Sequence, residues 1–413
     1  MKKIIWLMMV ALLLQLPLSC NRLDPEEDGE NPFTPISLST KQQGYVQAGT
    51  QFAWKFLDKV DEQSLQNKEK EWFVSPLSLQ IALGLLLNGA QNETAAEICQ
   101  TLGYNEGETA EINAWCKLML EQLPKVDKKT DLVLANAVFY NKKLQPKGPY
   151  RDAVTSWYEA QLEALDFTKT KASADAINKW CDKQTKGMIP KVLDEVSPNA
   201  LAYLANALYF KSEWREKFPK GKTENETFTS ETGSKSKVKM MKLDGKHFTY
   251  GENDLCQAVQ LPYGNGNYAM TVLLPKSGHT VRELTASLAK RVPLSYEPEV
   301  DLWLPRFETK YHIDLNDILC SLGMTRSFNP AQADFLAMFD KPSYVDFVQQ
   351  DTAIKLDEEG TEAAAVTTIG MLGASSLAPP RPQKVVFHAD HPFLYLITET
   401  STGAVLFAGK YNL

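Results

Sequence analysis

The chain has 413 residues, of which 44% are hydrophobic and 23% charged. That is enough apolar material for one large core or two of average size. A formal net charge of −7 leaves no basic excess of the kind that nucleic-acid binding needs.

Met1 to Ser19 has the pattern of a secretory leader: Lys2 and Lys3 give a positive start, and Ile4 to Leu18 is apolar apart from Gln15. Such a run falls short of the roughly 20 residues that a membrane-spanning helix needs. It ends in Leu-Pro-Leu-Ser before Cys20, which resembles the lipidation box of bacterial lipoproteins, with Pro17 where that motif prefers an aliphatic residue. The resemblance implies a lipid on Cys20 and a secreted, membrane-anchored protein facing the periplasm or the cell surface. Without the lipid, the leader implies ordinary secretion. Asn21 to Pro35 is polar, acidic and proline-containing, so residues 20–40 read as a flexible tether before a folded domain at 41–413. The six cysteines, Cys20, Cys99, Cys116, Cys181, Cys256 and Cys320, have no CxxC pair or metal-ligand spacing. Apart from Cys20 they read as small core residues, and no metal or cofactor is expected.

Gln42 to Gln63 places Tyr45, Phe52, Phe56, Leu57 and Val60 at helical spacing. Ser75 before Pro76 starts a second helix, since the hydroxyl can cap and proline is tolerated at the first position. Thr94 to Leu102, Thr109 to Leu123, Ala172 to Thr185 and Leu315 to Leu322 are further helices, the last stopped by Gly323. Asp131 to Tyr140 alternates as a strand. Asn199 to Phe210 is apolar and long enough for a helix or a strand, and Asn206 within it needs a hydrogen-bonding partner. Glu226 to Leu304 is β-rich, Tyr344 to Leu356 reads as a strand, and Val385 to Leu413 as a β-hairpin. Helices dominate the first half and strands the second, an α+β pattern.

Catalytic signatures are missing. None of His247, His279, His312, His388 and His391 lies in an HExxH motif or near a nucleophile elbow. His391 follows Asp390, but neighbours on a strand point to opposite faces. The chain is not expected to be an enzyme.

Lys355 to Pro380 stands out. It opens with acids, turns at Gly360, and carries no charge from Ala363 to Pro380. As a strand it would present Thr361, Ala363, Ala365 and Thr367 on one small, uncharged face, with Glu362 on the other. Such a face suits insertion between existing strands. Gly370, Gly373 and Ser375–Ser376 read instead as exposed loop.

Glu358 to Ala365 (EEGTEAAA) resembles the hinge of the reactive loop in the serpin family, and the likeness runs from about Lys41 to Leu413. Asn206 to Trp214 (NALYFKSEW), Ser75-Pro76-Leu77-Ser78, Leu304 to Phe307 and Ala389 to Phe393 resemble other serpin motifs. The resemblance implies about nine helices around three sheets, with an exposed reactive loop at 358–382. It implies a suicide-substrate inhibitor of serine, or also cysteine, proteases that forms a covalent complex as a monomer. A protease cleaves the loop, and Glu358, Glu359, Gly360, Thr361, Glu362, Ala363, Ala364 and Ala365 act as the hinge for its insertion into the main sheet. Counting as the family does puts the scissile bond at Ala374–Ser375, with Met371, Leu372 and Leu377 as rivals. These suit elastase-, chymotrypsin- or subtilisin-like targets. The resemblance also implies a polar cluster of Ser75, Ser78, Asn206 and Gln350 under the sheet, with Gln350 in place of the family's His, and a surface pair of Arg306 and Glu358 at the sheet's top. The alternatives are a non-inhibitory carrier or chaperone-like protein of that fold, and a glycan-binding surface lipoprotein.

Overall fold

Ser39 opens the first helix with a reciprocal cap: its Oγ accepts from Gln42 N at 3.3 Å, and Gln42 Oε1 accepts from Ser39 N at 2.9 Å. The structure, a computed structural model, describes residues 31–286, 292, 294–361 and 384–413. In chain order, α1 (Thr40–Gln66), β1 (Trp72–Val74), α2 (Pro76–Leu87), α3 (Asn92–Leu102) and α4 (Thr109–Gln122) lead to β2 (Thr130–Asn141). Then come α5 (Gly148–Tyr158), β3 (Gln161–Leu165), α6 (Thr170–Gln184), β4 (Ala202–Glu213), β5 (Glu224–Thr229) and β6 (Lys235–His247). They are followed by β7 (Thr249–Glu252), β8 (Cys256–Pro262), β9 (Tyr268–Pro275), α7 (Val281–Ala286), β10 (Glu299–Pro305) and β11 (Phe307–Asp314). The chain ends with α8 (Asn316–Ser321), β12 (Gln349–Leu356), β13 (Gly360–Thr361), β14 (Lys384–His388), β15 (Phe393–Glu399) and β16 (Val405–Tyr411).

Among the described residues, eight α-helices pack around three sheets, an α+β fold. The main sheet has the order β11-β12-β13-β4-β2-β3. A second six-stranded sheet runs β1-β16-β15-β9-β8-β7, and a four-stranded sheet runs β14-β10-β6-β5. Helix α2 is apolar all round and buried along almost its whole length, as a helix between two sheets must be. It packs against β4 of the main sheet and β16 of the second. Strand β16 lies between β1 and β15, with Trp72 opposite Lys410 and Tyr395 opposite Gly409. Lys410 is 1% exposed, and its charge is met by Glu231 at 2.9 Å and the fully buried Asp61 of α1 at 3.6 Å.

The structure corrects several expectations. Tether-like behaviour was expected up to residue 40, yet the packed body begins by Thr34. Thr34 N donates to Asn267 Oδ1 at 2.9 Å, Asn267 Nδ2 donates back to Thr34 O at 2.8 Å, and Ile36 is buried. Residues 344–348 are not strand. Strand β12 starts only at Gln349, opposite Asp314, because the partner chain turns into α8 beyond that point. The ambiguous stretch from Asn199 resolves as strand β4. The C-terminal hairpin is β15–β16 alone, since β14 pairs in parallel with β10 in the four-stranded sheet. Helices α5 and α7 and strand β3 are additional to the sequence reading.

Candidate functional site

Strands β4 and β12 flank an opening in the main sheet. Each is fully paired on its outer side, β4 with β2 from Ala202 to Ser212 and β12 with β11 from Gln349 to Leu356. Among the described residues, β13 alone lies between them: Gly360 pairs with Glu213, and Thr361 pairs with both Ser212 and Leu356. Below Thr361 the two strands part, and a cavity of about 420 Å³ lies between Asn206 and Gln350. Alternation along β4 sets its walls. Tyr203 and Ala207 pack with Ile177, Trp180 and Cys181 of α6, whereas Asn206 reaches Ser78 of α2. The two helices therefore cover opposite faces of the opening.

At the top, the turn from Asp357 to Gly360 folds the chain back into the sheet, with Asp357 N donating to Gly360 O at 2.9 Å. Gly360 is required there, because a Cβ would collide with Ser212 O and lie 2.7 Å from Glu213 Cα. Thr361 is 3% exposed, and its Oγ1 lies 2.8 Å from Tyr263 OH. Burial pushes the Tyr263 phenol well up, so it stays neutral. Tyr263 stacks on Trp214 with centroids 4.4 Å apart. Trp214 in turn holds the turn twice: its Nε1 donates to Asp357 O and its N to Glu359 O, both at 2.9 Å. Residues 358–361, expected in the exposed loop, are thus part of the sheet top.

The expected pair of Arg306 and Glu358 is present, but it is not a surface pair on the Glu358 side. Glu358 is buried, and its Oε1 accepts from Thr223 Oγ1 at 2.7 Å. Arg306 is half-exposed, and its NH1 stands 3.7 Å from Glu358 Oε2. Glu359 carries a second clamp that the sequence reading does not contain. Lys220 at 2.8 Å and Lys217 at 3.0 Å hold its carboxyl below the usual glutamate range.

The polar cluster beneath the opening is two connected pairs. The Gln350 amide brackets the Ser75 backbone: Ser75 N donates to Gln350 Oε1 at 2.7 Å, and Gln350 Nε2 donates to Ser75 O at 3.0 Å. Ser75 Oγ donates to Leu406 O at 2.6 Å and accepts from Ser78 N at 3.2 Å. Ser78 Oγ donates to Asn206 Oδ1, Asn206 Nδ2 donates to Asn136 Oδ1 at 2.6 Å, and Asn136 Nδ2 donates to Tyr158 O at 2.9 Å. Asn136 sits directly opposite Asn206 in the β2–β4 register. It joins the four residues read from the sequence, and the polar break in its otherwise apolar alternation is the signal for it.

The family profile described as "Serpin (serine protease inhibitor)" matches residues 47–412. The chain belongs to the serpin family. It is 32% identical over 359 residues to Serpin B6 of Macaca fascicularis, covering 84% of this chain and 94% of that protein. Among solved structures it resembles the thermophilic serpin Tengpin in its native state, with a TM-score of 0.77, 27% identity, and coverage of 93% of this serpin and 97% of that chain. It also resembles human thyroxine-binding globulin complexed with thyroxine, with a TM-score of 0.78, 27% identity, and coverage of 90% and 98%.

Other groups in this serpin have structural partners. His391 Nδ1 lies 2.8 Å from Asp390 Oδ1 and its Nε2 2.8 Å from Pro275 O. The expectation that these neighbours point apart is wrong, because both sit in the link between β14 and β15 and not in a strand. Cys99, Cys116, Cys181 and Cys256 are buried free thiols, and desolvation pushes Cys116 and Cys181 up to about 12. Such thiols are inert. Among the described residues no acidic, His or Cys group could hold a metal, and no helix is long and apolar enough to cross a membrane. Cys20, Glu362 to Ala365, and the scissile-bond candidates Met371, Leu372, Ala374, Ser375 and Leu377 lie outside the described residues.

Proposed function

We propose that this serpin is a suicide-substrate inhibitor of serine proteases with small or medium apolar primary pockets, of elastase, chymotrypsin or subtilisin type. One observation carries the reading: Thr361 already pairs with both β4 and β12, at the head of a gap that no other described residue bridges by strand pairing. The protease's serine attacks the carbonyl of the residue before the scissile bond, Ala374 in the first reading and Met371, Leu372 or Leu377 in its rivals. An acyl-enzyme forms, and the amine-bearing fragment leaves with the serine's proton. The freed strand then adds ladder hydrogen bonds and buries surface along the gap. About 13 residues at ~3.3 Å each move the acylated protease roughly 43 Å. Cys20 is the site of lipid attachment in this reading, which keeps the inhibitor at a membrane surface.

Pancreatic elastase, chymotrypsin and subtilisin, each incubated with the intact chain, test it on a denaturing gel. A stable band at the summed mass supports inhibition. Clean cleavage by all three, with no such band, would instead mark a non-inhibitory carrier of this fold. Mass spectrometry of the released fragment assigns the scissile bond.

A further inference from the structure

Strand β6 carries Lys235, Lys237 and Lys239 at alternate positions, all exposed. Alternation places them on one face in a row, about 7 Å apart. Opposite them on β5 stand Thr229, Thr227 and Asn225. Lys237 Nζ donates to Thr227 Oγ1 at 3.0 Å. Among the described residues, no carboxylate pairs with any of the three. The next lysine along the strand is treated differently: Lys242 is bridged by Glu224 at 2.9 Å and Glu226 at 2.7 Å. The hairpin's other face carries the buried Phe228, Val238 and Met240. Packing therefore fixes the strand without help from the lysine face. A row of unneutralised like charges is unfavourable to the free protein, even though acids outnumber bases by 51 to 44 in the whole chain.

The place of this row suggests what it meets. Lys239 O accepts from Arg306 N at 2.8 Å, and Arg306 is the residue beside Glu358 at the sheet top. Lys384, where the described chain resumes after Thr361, is in β14 of the same four-stranded sheet. The described chain thus leaves the main sheet at Thr361, three residues after the Glu358 that stands beside Arg306, close to the Lys239 end of the row, whereas Lys384 aligns through Glu299 with His247 at the other end of β6.

We propose that Lys235, Lys237 and Lys239 form a secondary docking surface that selects proteases with an acidic rim beside the active-site cleft. The proposal rests on the inhibitor reading above and adds a partner chemistry to it. A charged rim of this kind acts on the encounter, raising the association rate in a salt-dependent way without changing loop cleavage or insertion.

The test compares the intact chain with a Lys235→Gln/Lys237→Gln/Lys239→Gln variant and a Lys→Arg variant at the same positions. The probes are an anionic and a cationic isoform of one pancreatic chymotrypsin-like protease, each active and with its nucleophilic serine replaced by alanine. Association of the inactive anionic isoform with the Gln variant is expected to slow on the order of tenfold at low ionic strength. The loss should fade at high salt, be absent with the cationic isoform, and be restored by the Arg variant. Equal rates for the intact chain and the Gln variant at low salt overturn the proposal, even if the face retains dextran sulfate. The two readings fail separately. Absence of a stable complex with the active isoforms sinks the inhibitor reading, whereas the docking surface is judged on the inactive isoforms alone.

Discussion

Thr361 Oγ1 and Tyr263 OH meet 2.8 Å apart at the sheet top, both almost wholly buried. The pair leaves no room or partner for a charge. Thr361→Arg must therefore either strip a guanidinium of water or withdraw β13 from the sheet. The expected result is a protein that proteases cut completely but that traps none of them. A denaturing gel showing undiminished covalent complex in this variant would count against insertion through Thr361.

Gly360→Ala tests the same point by shape alone. The added methyl meets Ser212 O and the Glu213 backbone, neither of which can yield without moving β4. Loss of β13 pairing and slower trapping should follow, with loop cleavage at its normal rate. Amide hydrogen exchange at Thr361 is the direct readout, and unchanged protection there would refute the account.

Gln350→Ala leaves the buried Ser75 N without its acceptor, while Ser75 O keeps its bond from Leu79 N at 3.2 Å. A buried group left unpaired costs about 1–3 kcal/mol. The intact variant should melt several degrees lower. Because an amide does not titrate, the wild-type cluster should contribute equally from pH 5 to pH 8.

The Glu359 clamp has the opposite character. Its lysine partners lower the carboxyl pKa in the folded chain, so its contribution is full above the ordinary glutamate value and is lost as pH falls through the lowered one. Melting temperature followed from pH 7 down to pH 3 should fall more steeply for the wild type than for Glu359→Gln. Parallel curves would show that the clamp contributes nothing.

A cut within residues 362–383 should raise the melting temperature of the body, because the open side of β4 and β12 gains a partner. Calorimetry on intact and cleaved chains decides this, and identical transitions would mean that the gap stores nothing.

Much of this was legible in the sequence because single residues carried it. Ser75 and Pro76 declare the start of α2, and the alternation from Leu132 to Val138 declares β2. The turn at Gly360 announces itself too, where a run of acids gives way to a glycine. What was not legible depends on distant register. The Asn136–Asn206 pair exists because β2 and β4 align across 70 residues, and the Lys217 and Lys220 clamp on Glu359 joins segments about twice as far apart in the chain. Helix α5 hides because its buried Tyr150, Val154 and Tyr158 sit among polar residues after Gly148 and Pro149. Residues 344–348 look like strand from their own side chains. Pairing forbids it, since β11 has ended by then.

The position of β16 bears on how the molecule is made. Its neighbours are a strand from the first quarter of the chain and one just before it. Until the ribosome has released Val405 to Tyr411, the second sheet stays divided and Asp61 lacks its lysine. Contacts of such long separation form slowly. The second sheet must therefore close late, when β16 enters between β1 and β15. A nascent chain stalled short of this strand would show two bare sheet edges to the quality-control machinery.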